Sequence, residues 1–483
     1  MAYIQSEKNQ KGAFGDLMTS HKSPIVQIAN KYQIDPANLD IVETFEATGG
    51  SADNNKNLFR CQTGTSVGGY GVIRSVETLN YRAGQGVEGL FTASFTTGVA
   101  LSLQFGGLFN ISDTLAFGYD GASFGCLHSY GGVAEVQTID ISATGAGTCT
   151  VTLDGTASAG ITVTNSDVET NAREIADGLK ADTLANSWRF EQTSDKVFCI
   201  AKGVGNKTGS MSVSGGVTAS ITEATAGVAQ TDNHTAQGSF NIREPFSGFD
   251  PTKLNVYKIK FGYLGVANIT YAIYNPNTGF FEDVHQVEWA NANNATHVSN
   301  PNFKIGWTSA SLGASGTNLT VLGASGSIFL EGDEVIKNNT FADENTVSGV
   351  GTTLTNIITI KNRVVYNNRF NLGKLFPLII SIDNDHNKGC IVQVIRSGTV
   401  AGTVNYQFEE QFNSIALVDK AGTTVTNGTL IDAFTVSAGG SAELDLTLLR
   451  TELLPDETFV IAAKTISGTS TAITATIAWK EEK

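Results

Sequence analysis

Val87-Glu88-Gly89-Leu90-Phe91-Thr92-Ala93-Ser94-Phe95 sets Val87, Gly89, Phe91, Ala93 and Phe95 at every second position. Side chains on a strand alternate between two faces, so this stretch predicts a strand whose odd-numbered residues meet a core. Leu101-Ser102-Leu103-Gln104-Phe105 repeats the alternation after a Thr-Gly turn. Leu115–Tyr119 and Phe124–His128 follow, joined through Asp120-Gly121, a dipeptide that tolerates the positive φ of a tight hairpin. Turn signals roughly every ten residues predict a β-sandwich.

The same style returns at 239–336, where Val256–Phe261 and Ile269–Tyr274 precede an Asn-Pro-Asn-Thr-Gly loop and Phe280–Trp289. Leu312-Gly-Ala-Ser-Gly316 and Leu322-Gly-Ala-Ser-Gly326 form a local repeat. Between these halves the period changes. Ser166-Asp167-Val168-Glu169 reads as a capping box, and Val168, Ala172, Ile175, Ala176 and Leu179 make one helical stripe, predicting a helix over 167–180. Strands on both sides of it complete a small α+β module. The expected organisation is an N-terminal arm or anchor over 1–55, a β-sandwich from 56–133 plus 233–340, an inserted module at 134–232, and a second β-sandwich at 341–483. Within the arm, Ile25, Val26 and Ile28 form an apolar patch after Pro24, Pro36–Leu39 resembles one helical turn, and Gly49–Asn55 reads as a linker or loop. The fold class is mainly β.

Of 483 residues, 41% are hydrophobic, enough for cores, but only 16% are charged. Gly, Thr, Ser and Asn fill the deficit, as in chains of short strands and tight turns. The formal net charge of −15 would repel a polyphosphate backbone, so no nucleic-acid partner is expected. The first residues lack the apolar core of a signal peptide, and no apolar run of about eighteen residues predicts membrane insertion. Five scattered cysteines form no Cys-x-x-Cys pair, which fits a reducing site of synthesis. Sequons such as Asn268-Ile269-Thr270 follow from Asn and Thr abundance.

Candidate chemistry is sparse. Asp383-Asn384-Asp385-His386-Asn387 begins like a calcium loop, but Lys388 stands where the turn glycine belongs and Val394 where the bidentate acid belongs. Glu282, Asp283, His285 and Glu288 lie close in sequence, with Asp283 and His285 expected on one strand face and Glu282 and Glu288 on the other. No nucleophile elbow, phosphate loop or metal-ligand spacing occurs, so no catalytic residue, metal or cofactor is assigned. Aromatic residues are more suggestive: Tyr119, Tyr263, Tyr271, Tyr274, Trp289 and Trp307 lie among Asn- and Asp-rich loops. Ring faces with amide and carboxylate acceptors suit sugars, and Tyr119, Asp120, Tyr274 and Trp289 are the glycan-binding candidates. For any single one of these rings, an aromatic sandwich core is the simpler account.

Tyr81-Arg-Ala-Gly-Gln-Gly-Val87, Phe91–Ala100, Leu115–Gly125, Asp250–Tyr257 and Trp289–Ala292 together resemble a family of uncharacterised structural proteins from tailed phages and giant viruses. The inserted module resembles small domains that recur in phage tail and fibre proteins. The resemblance, over about residues 14–336, implies a virion protein with a lectin-like, concanavalin-type sandwich. It supplies no catalytic residue. The expectation is a non-enzymatic fibre, spike, tail or capsid-surface subunit, made in the host cytoplasm and housed in the virion. Its expected partners are copies of itself, with a trimer preferred, other virion proteins, and a host-surface glycan. A virion-associated glycan depolymerase and a cellular adhesin are the alternatives.

Overall fold

The computed structural model describes residues 22–30, 41–79, 81, 83–164, 166–262, 264–313, 316–332, 340–385, 387–408, 413–447, 451–469 and 472–483. These fall into two compact units, Met1–Val133 with Ala229–Val335, and Ala134–Val228 with Ile336–Lys483.

The first unit is a sandwich of two antiparallel sheets. One sheet runs Phe280–Val287, Ile269–Asn275, Asn255–Gly262, Gly86–Phe95, Thr320–Gly323, Leu58–Gln62 and Ser51–Asn55. Gly86–Phe95 also pairs along its first half with Ser325–Glu331, which in turn pairs with Lys22–Ala29. The other sheet runs Thr231–Ala236, Ser123–Tyr130, Thr114–Asp120, Ser102–Phe109, Lys304–Ser311, Tyr70–Ser75 and Val42–Ala47. Val87, Phe91, Ala93 and Phe95 enter the core as their alternation predicts. They meet Leu115, Phe117, Tyr257, Phe261, Tyr271 and Trp307.

Two expectations are corrected here. The described part of 1–55 is not an arm: Lys22–Ala29, Val42–Ala47 and Ser51–Asn55 are strands of the two sheets. Val26 and Ile28 are buried in the shared core, and Pro24, which has no N–H to give, sits at the bulge of a sheet-edge strand. Of Gly49–Asn55, Ser51–Asn55 is therefore a hairpin strand paired with Leu58–Gln62, whereas Pro36–Leu39 lies outside the described residues. In Ser102–Phe109 the apolar residues do not mark the inner face. A Cβ on Gly106 would lie 3.1 Å from Phe91, so the pleat turns Gly106 inward with Gln104 and Leu108. Phe105 instead meets His234, and Leu101 is 65% exposed.

Trp307 is buried in this core. Its ring lies 5.1 Å from Phe59, and Nε1 donates to the Thr92 carbonyl at 2.9 Å. The indole fits because residue 323 is glycine: a Cβ there would come within 2.1 Å of Trp307 Cε2.

The second unit holds two cores. In the module, Ala134–Ala143, Lys196–Val204, Trp188–Thr193 and Thr218–Thr225 form one antiparallel sheet, and Gly147–Leu153 organises a smaller one. The helix spans Val168–Lys180 and buries Ala172, Ile175, Ala176 and Leu179. Its cap is Asp167, whose carboxylate accepts the Thr170 N–H at 2.7 Å, one residue later than the Ser166 capping-box reading. The following sandwich packs a four-stranded sheet centred on Lys374–Asp385 and Ala472–Glu482 against a larger one centred on Thr355–Asn362, Thr458–Thr465 and Cys390–Arg396.

Module and second sandwich were expected as separate domains, yet they share this unit, and a buried carboxylate joins them. Glu191 accepts the backbone N–H of Val364 at 2.8 Å and of Val365 at 3.1 Å. Lys361 Nζ lies 3.5 Å from the same carboxylate and 2.7 Å from Asp456. Arg189 stacks over Phe370, and Glu169 accepts from Asn405. A carboxylate is tolerated in such a site only with its hydrogen bonds and counter-charge complete.

Gly323→Ala should force Trp307 out of place and destabilise the protein by about 1–3 kcal/mol, read by chemical denaturation with tryptophan fluorescence. Glu191→Ala strands two backbone donors and weakens the neutralisation of Lys361. It should cost about 3 kcal/mol in the unit that holds residues 134–228 and 336–483, read as earlier proteolysis near 363–371.

Candidate functional site

The four glycan candidates do not converge. Tyr119 is 6% exposed and packs in the core against Phe95 and Phe124, while Asp120 is exposed at the hairpin turn. Tyr274 is half-buried and meets Phe281 at 5.6 Å. Trp289 is 5% exposed and packs edge-on against His128 and Tyr130. Tyr119 pairs with Phe124 and Leu115 with His128, so Tyr119 and Trp289 stand roughly 13 Å apart along the strand direction. Tyr263 lies outside the described residues, and Tyr271 and Trp307 are core residues.

Of the four, Trp289 lines a well-formed pocket. It is a cleft of about 270 Å³ in the first unit, where the edge strands Thr231–Ala236 and Phe280–Val287 face each other. Cys126, His128, Tyr271, His285 and Trp289 form its buried floor. Asn233, Glu288 and Asn293 are exposed at its rim.

A bulge delivers His285 to this floor. The ladder pairs Tyr271 with His285 but Ala272 with Asp283, leaving Val284 as the extra residue. One added residue reverses the alternation, so Asp283 turns to the opposite face and pairs with Lys260 at 3.3 Å. Asp283 and His285 therefore do not share a face, contrary to the unbroken-strand expectation. Glu282 is engaged elsewhere, by Asn275 at 2.9 Å and Arg243 at 3.7 Å.

The other wall is pinned by a buried acid. Asp113 accepts the backbone N–H groups of Ser299 at 2.8 Å, Asn300 at 2.9 Å and Gly131 at 3.3 Å. Burial pushes its carboxyl up, and those bonds pull it back. Asn110 holds the carbonyls of Asn300 and Asn302, and the His297 N–H donates to Gly265. The loop thus fixed brings the His297 carbonyl 2.6 Å from His128 Nε2.

Burial lowers His128 and His285 below the ordinary imidazole value, so both are neutral near pH 7. His297 is lowered by burial to about 4. Burial also raises the Cys126 thiol well above its usual range, which keeps it protonated and a poor nucleophile despite the nearby histidines. Among the described residues no group of three or more His, Cys, Asp or Glu side chains could hold a metal ion. All five cysteines are buried and free. In the second sandwich, Asp383 to Asp385 end a strand, with Asn384 donating to the carbonyls of Lys388 and Ser437; His386 lies outside the described residues.

No family model matches the chain, and no curated protein matches it. Solved structures that align with it include arcelin-5, a lectin-like defense protein from Phaseolus vulgaris, at 8% identity, 64% of this chain, 100% of that chain and a TM-score of 0.24. Lectin II from Ulex europaeus aligns at 7% identity, with the same coverage and a TM-score of 0.23. A structure of T=1 particles derived from infectious bursal virus aligns at 10% identity over 82% of this chain and 78% of that chain, with a TM-score of 0.13. Likenesses at these scores carry no argument, and the two-sheet sandwich stands on its strand pairing.

Asp113→Ala leaves backbone donors unpaired and should cost about 2–4 kcal/mol. The same change should loosen residues 297–303, read as faster amide exchange there than in Gly86–Phe95.

Proposed function

We propose that this protein is a non-enzymatic virion surface subunit that uses the cleft beside Trp289 to engage a carbohydrate. The observation that carries the binding reading is the composition of that cleft: aromatic and imidazole rings on the floor, amides and one carboxylate at the rim. Rings cover the apolar face of a sugar, and rim groups meet its hydroxyls. The volume suits a single sugar ring rather than an extended chain.

The virion assignment draws on the sequence resemblance and on low-charge, Gly- and Thr-rich β-sandwiches that need no disulfide. Copies of the chain, in a three-fold arrangement, and other virion proteins are its proposed partners. A depolymerase asks for two carboxylates about 5–10 Å apart across a cleft. The cleft lining contributes one, Glu288, and the nearby thiol is held protonated.

The test is a glycan-array screen of the full chain followed by calorimetry. Asn233→Ala with Asn293→Ala should weaken the selected glycan at least tenfold without changing the melting temperature, because both residues are exposed. Unchanged affinity would place carbohydrate binding elsewhere; no binding on the array would remove it.

A further inference from the structure

We infer that the loop over residues 288–303 is an acid-released clasp, seated on the core of the first unit near neutral pH and lifting away in mild acid. Such a clasp stands whether or not the cleft binds a sugar.

The loop joins Phe280–Val287 to Lys304–Ser311 without a strand of its own. Connections this long are uncommon in compact domains and usually serve a function. Residues 290–296 are exposed, while Trp289, His297 and Val298 are buried. Trp289 Nε1 donates to the Ala295 carbonyl at 2.5 Å, which ties the loop to itself. Its ties to the sheets include the bond from His128 Nε2 to the His297 carbonyl.

The chain has six histidines, and three of the four described ones gather at this seat. His128 stacks on Tyr130 at 4.9 Å and meets the edge of Trp289 at 5.5 Å. His297 lies 6.4 Å from both Phe261 and Trp289. His285 sits between Phe240 at 5.6 Å and Tyr271 at 6.0 Å. A backbone carbonyl only accepts, so His128 Nε2 carries the hydrogen and a second proton must go to Nδ1, which is buried without a partner. His285 Nδ1 is buried and unpartnered too. Protonation at such a site creates a cation cut off from water, and cations on His128 and His297 also repel each other.

The groups around the seat do not neutralise that charge. Glu288 is exposed at the cleft rim, and the Asp113 carboxylate is taken by the N–H groups of Gly131, Ser299 and Asn300. The Cys126 thiol stays protonated, and the Tyr271 hydroxyl is committed to the Leu127 carbonyl. On the strand of His285, Asp283 turns away to Lys260 and Glu282 pairs with Arg243. Lifting the loop returns His297 to water and uncovers His128 while the sheet ladders stay intact.

Burial lowers all three imidazoles below their ordinary value, His297 to about 4. Once the loop lifts, a freed ring takes its proton near the ordinary value of about 6.5. The closed loop is therefore most stable above about pH 6.5 and loses stability as the pH falls toward the lowered values. Asp113 has the opposite sign, because burial raises its carboxyl, so falling pH does not open the loop through it.

The test is hydrogen exchange on the full chain between pH 7.5 and pH 5, read as protection factors. Protection across 289–300 should fall about tenfold from pH 6 to pH 5, the linkage slope for one freed histidine, while Gly86–Phe95 stays closed. His128→Gln and His297→Gln should each flatten that slope, whatever they do to the loop at pH 7.5. Glu288→Gln and Asp113→Asn should keep it. A loop merely loosened by substitution exchanges faster at every pH and does not mimic the flattening. Protection that is the same at every pH, a slope that survives both histidine changes, or a slope lost with either carboxylate would overturn the clasp.

Discussion

The antiparallel ladder between Gly86–Phe95 and Asn255–Gly262 is the constraint on which the first unit depends. It sets Phe91 opposite Tyr257 and Val87 opposite Phe261, residues on either side of the 134–228 insertion. The same strand bonds Thr320–Gly323 and Ser325–Glu331 on its other edge. One strand therefore ties together early, middle and late parts of the unit. Its apolar face supplies rings against which the second sheet packs, since Phe95 contacts Tyr119 and Phe124. Forming such a ladder closes a long loop before any contact rewards it, so the ring contacts must be large.

The cleft lies at the edges of the two sheets. Thr231–Ala236 and Phe280–Val287 are both edge strands, and an edge exposes groups that a central strand would bury. A bulge on one edge and a loop anchored by Asp113 on the other then aim imidazoles into the gap. The floor is built by the same residues that complete the core, while the rim comes from turns.

Much of the fold was legible because alternation is a local signal. The strand at Val87–Phe95, the hairpin at Asp120-Gly121 and the helical stripe through Ile175 and Leu179 all follow from spacing alone. Thr340–Ser348 is a polar edge strand with few apolar residues to mark a face, and in Thr429–Val436 a bulge at Ile431 breaks the alternation. Leu101 and Phe105 misled in the opposite sense, being apolar residues turned away from the core. The cleft was barely legible. Trp289 stood out as an aromatic among asparagines, but a bulge at Val284 leaves no trace in composition, and a one-residue shift is enough to move His285 to the other face. Nothing in sequence placed His128 beside it, because that meeting depends on which strands become edges.

The bond network around Glu191 has a consequence for the order in which the protein is completed during synthesis. The module carrying Glu191 emerges from the ribosome well before residues 361–365, which supply its two N–H groups and its lysine. During that interval the module can fold around its own core, with Ile139, Ile175 and Trp188, but the carboxylate must stay in water. The second unit is thus assembled in two instalments separated by translation of the remainder of the first unit. A nascent chain halted in between would carry a solvated acid on a surface meant to be closed, a form that a chaperone could distinguish from the finished subunit by charge alone.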